Sequence, residues 1–455
     1  MCWFKRCLIF LVFTGPLGDP LAYSQDPESY NPMAGWVDVL QYDLEIWLDP
    51  ASADIKGKQI VTLKLLKPVQ QLNLNLEDLI VDTLYCPTAG LNYSYDGSSI
   101  RIEFNRRMAR NKKLDIIIRY HGQPSDGMIL KNQSGHFTAF ADNWASRARN
   151  WFPCIDHPSD KASFQSTVHL PREFEVIGNG SKLGESENLG QRTVIHRIDQ
   201  PIATYCMVIG ATQFSITRTK SPGGLPLLYY TYPRDSVVAM GSFSRIPDMV
   251  HFYDSLIGPY AYPQLAFVQS STRFGGMENS SVIFLNDGGR VFKAQSEPEE
   301  LLAHEVAHQW FGDAVTLSDW SELWLSEGFA TYFSALYFES REGKIRFDSI
   351  INQTKKEYLN QQPHLYPVIF NGYPRLFQLL NAENYQKGGL FLHALRLKIG
   401  DPAFFNSIRK YYSRFKNKNA TSFDFRSVVE SVSRQKLKPF FNRWLEHAGL
   451  PEQVK

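Results

Sequence analysis

The chain has 455 residues, of which 43% are hydrophobic and 21% charged, a composition typical of a folded globular protein with two or more domains. Lysine plus arginine number 48 and aspartate plus glutamate number 46, which gives a net charge of +2. This near balance argues against nucleic acid or an anionic membrane surface as the main partner.

The first 24 residues have the pattern of a secretory signal. The basic pair Lys5-Arg6 precedes a short apolar run at 8–13, and Ala22-Tyr23-Ser24 fits a cleavage site of small residues. We therefore expect residues 1–24 to be removed and the mature protein to be secreted or periplasmic; an uncleaved N-terminal anchor is the alternative. No later stretch reaches the roughly 18 apolar residues of a membrane helix, so we expect no membrane span after signal removal.

The mature chain would keep three cysteines, Cys86, Cys154 and Cys206, because Cys2 and Cys7 lie in the signal. Three cysteines allow one disulfide at most, and the sequence leaves open whether it forms. Buried free thiols are the expected state for the remaining cysteines, or for all of them. A scaffold that depends on many disulfides is excluded.

From about Trp36 to Phe214, within a first domain that we place at 25–215, apolar and polar side chains alternate, which is typical of half-buried strands. The pattern is clear at 40–48, 72–76 and 114–118. It predicts an N-terminal antiparallel β domain with one solvated face.

In residues 216–455 the apolar residues recur at spacings of three and four, which indicates helices. The clearest runs are 296–311, 321–338, 381–399 and 403–415. A β domain followed by a mainly helical domain is an α+β fold.

The most specific motif is His304-Glu305-Val306-Ala307-His308. Ser296 and Glu299 predict a capping box at the start of a helix through this motif, and Gly312 predicts its end. Two histidines four residues apart share one helix face and can bind one zinc ion. Glu305 lies one step round the helix, where it can act as a general base toward a water molecule.

A catalytic zinc site needs a third protein ligand, and Glu327 on the next helix is the leading candidate. Thr331 lies one helical turn further and is a candidate hydrogen-bond partner for Glu327. The alternative is a pair of surface histidines beside ordinary helix carboxylates.

Several separated segments together resemble the M1 (gluzincin) family of zinc aminopeptidases. They stand in the family's order and include its GxMEN exopeptidase motif, and the similarity as a whole runs over most of residues 35–450. The segments are ARNWFPCIDHPSDKA at 148–162, GGMEN at 275–279, HEVAHQWFGD at 304–313, WLSEGFATYF at 324–333 and NYQKG at 384–388.

The resemblance implies a saddle-shaped N-terminal β domain against a thermolysin-like zinc catalytic domain, with one zinc ion per chain. It also implies roles that spacing does not give. The match of Glu278 pairs with the free α-ammonium of the substrate, and the match of Tyr385 stabilises the tetrahedral oxyanion. The other residues that we predict to contact substrate are Gly275, Gly276, Met277 and Asn279.

Two departures from the family pattern stand out. The Thr-Gln pair by which many relatives contact substrate from the N-terminal domain is absent near 138–143, where Asp142 or Asn143 is the candidate replacement. Relatives usually continue into further domains, whereas this chain stops near the close of the catalytic domain. We therefore expect a short form, in which contacts from those domains are absent, supplied by another chain or lost by truncation.

Together these features predict a zinc aminopeptidase that removes N-terminal residues from peptides, with peptides as partners and no oligomeric state assigned. An endopeptidase, or an enzyme that trims di- or tripeptides, is the nearest alternative. A non-catalytic peptide-binding protein and an epoxide hydrolase are more distant ones.

Overall fold

The structure is a computed structural model that describes residues 31–133, 136–361 and 363–451. The predicted signal at 1–24, with Cys2 and Cys7, lies outside the described residues. None of the helices within those described ranges is both long and apolar enough to cross a membrane.

The first half of the described chain consists of strands in three sheets. A seven-stranded sheet has the order β12-β13-β10-β1-β2-β7-β4, a four-stranded sheet the order β11-β14-β9-β8, and a three-stranded sheet the order β3-β6-β5. The strands are β1 (Val37–Leu48), β2 (Ile55–Leu65), β3 (Val69–Asn75), β4 (Ile80–Tyr85), β5 (Leu91–Tyr95), β6 (Ser99–Met108), β7 (Lys113–Gly122), β8 (Met128–Gln133), β9 (His136–Ala141), β10 (Lys161–Pro171), β11 (Glu175–Gly178), β12 (Ser181–Asn188), β13 (Gln191–Ala203) and β14 (Ile209–Thr212).

The predicted alternation is present in β1, with two corrections. A register shift between Val39 and Gln41 leaves Leu40 half-buried, while Tyr42, Leu44, Ile46 and Leu48 face the core. β1 also pairs with β10 in parallel, so the large sheet is mixed and not purely antiparallel. Parallel neighbours need a long connection, and the two strands are separated by most of the β domain.

The second half contains a five-stranded sheet of order β15-β16-β17-β19-β18, a small β20-β21 pair and most of the helices. Its strands are β15 (Ser215–Lys220), β16 (Pro226–Thr231), β17 (Leu265–Ser270), β18 (Gly276–Met277), β19 (Val282–Asn286), β20 (Val315–Leu317) and β21 (Lys418–Ala420). Its helices are α1 (Ser236–Ser242), α2 (Ile246–Leu256), α3 (Glu299–His308), α4 (Trp324–Glu342), α5 (Lys344–Asn360), α6 (Gly388–Ile399), α7 (Asp401–Phe415), α8 (Ser422–Ser433) and α9 (Lys438–Leu445).

These elements confirm the predicted α+β fold, a sheet-rich half followed by a mainly helical one. β15 begins at Ser215 and pairs with β16 in the sheet of the second half. The division at 215 stays a prediction.

Buried polar contacts hold the β domain against the segment that follows α3. The Lys161 ammonium donates to the carbonyl oxygens of Asp313, at 2.8 Å, and Ala314, at 3.3 Å. Tyr205 donates its hydroxyl to the carbonyl of Gly312 at 3.2 Å, and the Cys206 thiol donates to the Asp313 carboxylate at 3.3 Å. The first domain therefore fixes the backbone next to the histidine helix.

The described cysteines Cys86, Cys154 and Cys206 are all free and buried. Burial raises the pKa of Cys154 and of Cys206 well above the usual thiol value, so both stay protonated. The expectation of buried thiols is met within the described residues.

Candidate metal centre

The two histidines of α3 and the carboxylate of Glu327 converge on one point. His304 Nε2 and His308 Nε2 lie 3.0 Å apart, and each lies 3.2 Å from Glu327 Oε2. One ligand atom from each residue lies within 4.8 Å of the others, a group that could hold a metal ion. Two imidazoles and one carboxylate that leave further positions open are the donor set of a catalytic zinc site.

The start of α3 differs from the predicted capping box. The helix begins at Glu299 with Pro298 at its N-cap, and no side chain in the described part of the chain caps it. The Ser296 hydroxyl instead donates to the carbonyl oxygens of Arg290 and Lys293, while Glu299 pairs with Arg341. Both side chains of the expected box are therefore engaged elsewhere, and that prediction was wrong.

Glu327 is held in place by the first turn of α4. It is buried, and its carboxylate faces the two histidines. The turn before α4, Trp320–Glu322, is capped by Asp319, whose side chain accepts from the backbone N–H of Ser321 at 2.9 Å. This cap is a local feature of the sequence that fixes the start of the turn leading into α4.

The non-ligating face of His308 is held by Ser326, a contact that the sequence did not predict. His308 Nδ1 lies 3.0 Å from Ser326 Oγ and 3.2 Å from the carbonyl of Phe311. Such partners fix the ring orientation and raise the basicity of a metal ligand. Thr331, the predicted partner of Glu327, packs its methyl group beside Gly389, where an added Cβ would lie 3.2 Å away.

The buried charges of the site are mainly negative. Burial lowers the pKa of His304. For His308 burial is outweighed by Glu327 and Glu278, which raise its pKa. Carboxylates that favour a proton on an imidazole also favour a metal cation in its place. The electrostatics of the pocket therefore fit a zinc ion.

Glu305 occupies space that only a glycine leaves free. A Cβ at Gly276 would lie 2.3 Å from Glu305 Oε1, far inside van der Waals contact. Burial raises the pKa of Glu305 well above the usual carboxyl value. At Gly275, by contrast, the nearest atoms to an added Cβ belong to Leu301 at 3.9 Å. The prediction that Gly276 contacts substrate does not include this contact with Glu305.

Glu278 is buried at 5% exposure, in a loop that Gln309 fastens to the end of α3. Gln309 donates its side-chain N–H to the carbonyl of Glu278 at 3.0 Å and accepts from the backbone N–H of Ser281 at 2.9 Å. Tyr260 donates its hydroxyl to the same side-chain oxygen of Gln309 at 3.1 Å. The sequence assigns no role to Gln309, because neither its residue type nor its place after His308 shows which buried groups it contacts.

Tyr385 lies on the turn Glu383–Lys387, which is π-helical and leads into α6. Its ring is stacked on that of His304 with a centroid distance of 6.0 Å and an interplanar angle of 8°. Burial raises the pKa of Tyr385 well above the usual phenol value, and its hydroxyl contacts Glu327. The phenol is therefore protonated and directed to the metal-ligand group.

The helix that carries Glu327 is in backbone contact with the start of α6, directly after the turn that carries Tyr385. A Cβ at Gly328 would lie 2.8 Å from the Cα of Gly388, and one at Gly388 would lie 2.9 Å from the Cα of Gly328. Only glycine at both positions permits this approach.

The two candidates from the β domain have different surroundings. Asp142 is fully buried and accepts from the Thr272 hydroxyl at 3.1 Å, next to the loop that carries Glu278. It also pairs with Arg147 at 3.2 Å. Asn143 donates to the carbonyls of Thr204 and Met207 within its own domain. Of the two, the one near the site is Asp142, and its charge is already paired.

Family models match both halves of the chain. The one described as Peptidase M1 N-terminal domain matches residues 38–206, and the one described as Peptidase family M1 domain matches residues 243–444. The chain belongs to peptidase family M1.

Curated relatives and solved structures agree with this assignment. A leucyl aminopeptidase of Saccharolobus solfataricus is 26% identical over 77% of this chain and 45% of its own length. Aminopeptidase M1-C of Oryza sativa is 26% identical over 90% of this chain and 50% of its own length. The chain thus spans about half the length of the curated relatives it matches.

The M1 zinc metallopeptidase of Deinococcus radiodurans has the same fold. Its structure superposes with a TM-score of 0.82 at 22% identity, covering 92% of this chain and 96% of that one. A mutant of it bound to a Tyr-Ser-Ala substrate superposes with a TM-score of 0.81 over the same shares. The α+β fold of this chain is therefore that of a solved M1 metallopeptidase.

Proposed function

We propose that this protein is a zinc-dependent aminopeptidase that hydrolyses the N-terminal residue from peptides, with one zinc ion per chain. The observation that carries the proposal is the convergence of His304, His308 and Glu327 beside a second buried carboxylate, Glu278. The relatives named leucyl aminopeptidase and aminopeptidase M1-C support the same reaction.

Zinc bound by these residues supplies a Lewis acid that polarises the substrate carbonyl and makes water acidic near neutral pH. Glu305 takes a proton from the attacking water and returns it to the leaving amine. Tyr385 donates a hydrogen bond to the carbonyl oxygen as negative charge develops there. The raised pKa of its phenol keeps that proton available.

Glu278 gives the proposed preference for a free N-terminus. A buried carboxylate is costly unless a positive group pairs with it, and a substrate α-ammonium supplies one. An internal peptide segment would leave the charge unpaired, so it would bind poorly. This argument favours an aminopeptidase over an endopeptidase.

The test compares wild type with Glu278→Ala on one peptide in free and N-acetylated forms, with bound zinc measured on the same samples. We expect kcat/KM on the free peptide to fall roughly 10²-fold or more, because one partner of a charge-assisted contact is lost. The acetylated form should be a poor substrate for both proteins. Equal losses on both forms would contradict the aminopeptidase and leave a zinc peptidase of another specificity.

We also propose that the protein is exported, since residues 1–24 have the pattern of a secretory signal. Expression of the full chain in cells with a secretory pathway, followed by N-terminal sequencing, tests this. Exported protein that begins at Gln25 is the expected result. Retention in the cell with the first 24 residues intact would contradict it.

A further inference from the structure

Four buried side chains hold the turn that carries Tyr385 against the rest of the catalytic domain. We call them the Glu383 cluster: Tyr358, His364, Glu383 and Lys387. Tyr358 donates its hydroxyl to the Glu383 carboxylate, 3.0 Å from each oxygen. His364 Nδ1 lies 3.0 Å from Oε1 and Lys387 Nζ lies 3.3 Å from Oε2. The side chains of Glu383, His364 and Lys387 are 8%, 7% and 0% exposed.

The cluster joins three parts of the catalytic domain to the turn. Tyr358 belongs to the end of α5, and His364 follows it in an irregular segment. The ring of His364 is stacked on that of Tyr358 at 3.8 Å. Lys387 also donates to the carbonyl of His447, after α9, at 2.6 Å. These side chains therefore fix the position of the turn relative to α5 and the C-terminal segment, which its own backbone hydrogen bonds cannot do.

Glu383 and Lys387 share one side of the turn, and Tyr385 faces the other. Residues four apart lie on the same side of a helical turn, with the position between them turned away. The Tyr385 ring accordingly stacks on His304, whereas the Glu383 cluster faces α5 and the C-terminal segment. A displacement of the cluster would move the phenol relative to the metal-ligand group.

We propose that Glu383 is a positioning residue: through its contacts with Tyr358, His364 and Lys387 it holds the turn so that the Tyr385 hydroxyl stays beside the metal-ligand group. The inference rests on the proposed function for its meaning, since it assigns a role in the placement of the oxyanion donor. A buried ion pair adds little stability relative to apolar residues of the same size, but its hydrogen bonds impose direction. The Tyr385 hydroxyl must point in a defined direction to donate a hydrogen bond to the oxygen on which negative charge develops.

A double-mutant cycle tests the inference with wild type, Glu383→Gln, Tyr385→Phe and the double variant. We expect Glu383→Gln to lower kcat roughly 10-fold with KM nearly unchanged, because only transition-state binding is disturbed. In the Tyr385→Phe background the same change should alter kcat less than about twofold, since no hydroxyl remains to be misplaced. Equal losses in both backgrounds would overturn the inference.

The matched control is Glu339→Gln, which breaks the ion pair of Glu339 with Arg396, at 2.6 Å, in the same domain. Glu339 lies three turns along α4 from Glu327, and we expect kcat within about twofold of wild type. If Glu383→Gln fails to fold, Glu383→Met combined with Lys387→Met removes both charges at similar volume and takes its place in the cycle. A kcat loss of equal size in the Glu339→Gln control would also count against the inference.

Tyrosine ¹³Cζ NMR of zinc-free protein gives a readout that needs no activity. The resonances are assigned with Tyr385→Phe and Tyr358→Phe, and wild type is compared with Glu383→Gln. Tyr358 contacts Glu383 directly, so its resonance must move and serves as the positive control. We expect the Tyr385 resonance to move as well, and an unchanged one would overturn the inference. A protein inactive on every peptide would contradict the proposed function, while the NMR result would still decide the role of Glu383.

Discussion

The β domain and the metal centre each bury a histidine, and the two rings meet opposite electrostatics. His196 on β13 is 1% exposed, and neither ring nitrogen has a hydrogen-bond partner among the described residues. Burial lowers its pKa to about 3, so the ring is neutral. His308 is equally buried, but Glu327 and Glu278 outweigh the effect of burial and raise its pKa.

The opposite pKa shifts of His196 and His308 distinguish a core that holds a neutral ring from a site whose buried carboxylates favour a cation. In the β domain a titratable group is tolerated because it stays uncharged, so the core there is complete without a ligand. In the metal centre the carboxylates of Glu278, Glu305 and Glu327 lie around two imidazoles, and a divalent ion compensates their charge. Variants of the metal centre should therefore affect zinc and rate, and variants of His196 only acid stability.

The largest effect is expected for Glu327→Ala. Two remaining protein ligands hold zinc poorly, so bound zinc and peptidase activity should both fall to background. Atomic absorption on purified protein, with activity assayed on the same sample, measures this. Stoichiometric zinc in the variant would remove Glu327 from the ligand set.

Glu305→Gln should separate binding of the metal from catalysis. The amide keeps the shape of the side chain but cannot take a proton, so zinc should stay near one per chain while kcat falls at least 10²-fold. Steady-state kinetics with a measured metal content tests the prediction. A wild-type rate would show that another group acts as the base.

Tyr385→Phe removes one hydroxyl with little change of shape. If the phenol acts on the oxyanion, kcat should fall roughly 10²–10³-fold with KM nearly unchanged and zinc retained. A rise in KM alone would instead indicate an ordinary contact with bound substrate.

Gly276→Ala places a methyl group where Glu305 now lies. Because the added Cβ would be 2.3 Å from Glu305 Oε1, the carboxylate must move, and we expect kcat to fall roughly 10-fold with zinc retained. Gly241→Ala on α1 is the matched control, since no atom of the described residues lies within 4 Å of an added Cβ there. Unchanged kinetics for Gly276→Ala would show that the position of Glu305 is not critical.

The smallest effect concerns the β domain and appears only in acid. The pKa of His196 is about 3 in the folded state and about 6.5 in an unfolded chain, so its stabilising contribution is present above pH 6.5 and is lost as the pH falls toward 3. His196→Leu should reduce the loss of unfolding free energy between pH 7 and 5 by about 2 kcal/mol. Urea titrations at both pH values measure it, with His121→Gln at an exposed ring as the control. An unchanged acid dependence would mean that the ring is not neutral and buried as described.

The zinc-ligand group could be predicted from the sequence because its information is local: a four-residue spacing on one helix fixes His304 and His308. The predictions that were wrong concern a side chain that has other hydrogen-bond partners and a strand pairing between residues far apart in the chain. The Ser296 hydroxyl is used by carbonyls upstream of the helix, so the expected capping box does not form. The parallel pairing of β1 with β10 is decided by the whole β domain.

The supporting residues are the least predictable part of the site. Ser326, Gln309 and Glu383 act through partners that lie 18, 31 and 25 positions away in the chain. Their residue types are common in loops and helices, and no spacing rule marks them. They become recognisable only when the fold brings a buried polar atom to each of them.

The backbone contact of Gly328 with Gly388 has a consequence for how this enzyme can vary. Glu327 and Tyr385 are each within three residues of that contact. The lack of a side chain at both glycines therefore sets the distance between the metal ligand and the phenol. A side chain at either glycine would push the two backbones apart and so change that distance directly. Engineered variants of this protein should therefore keep glycine at both positions.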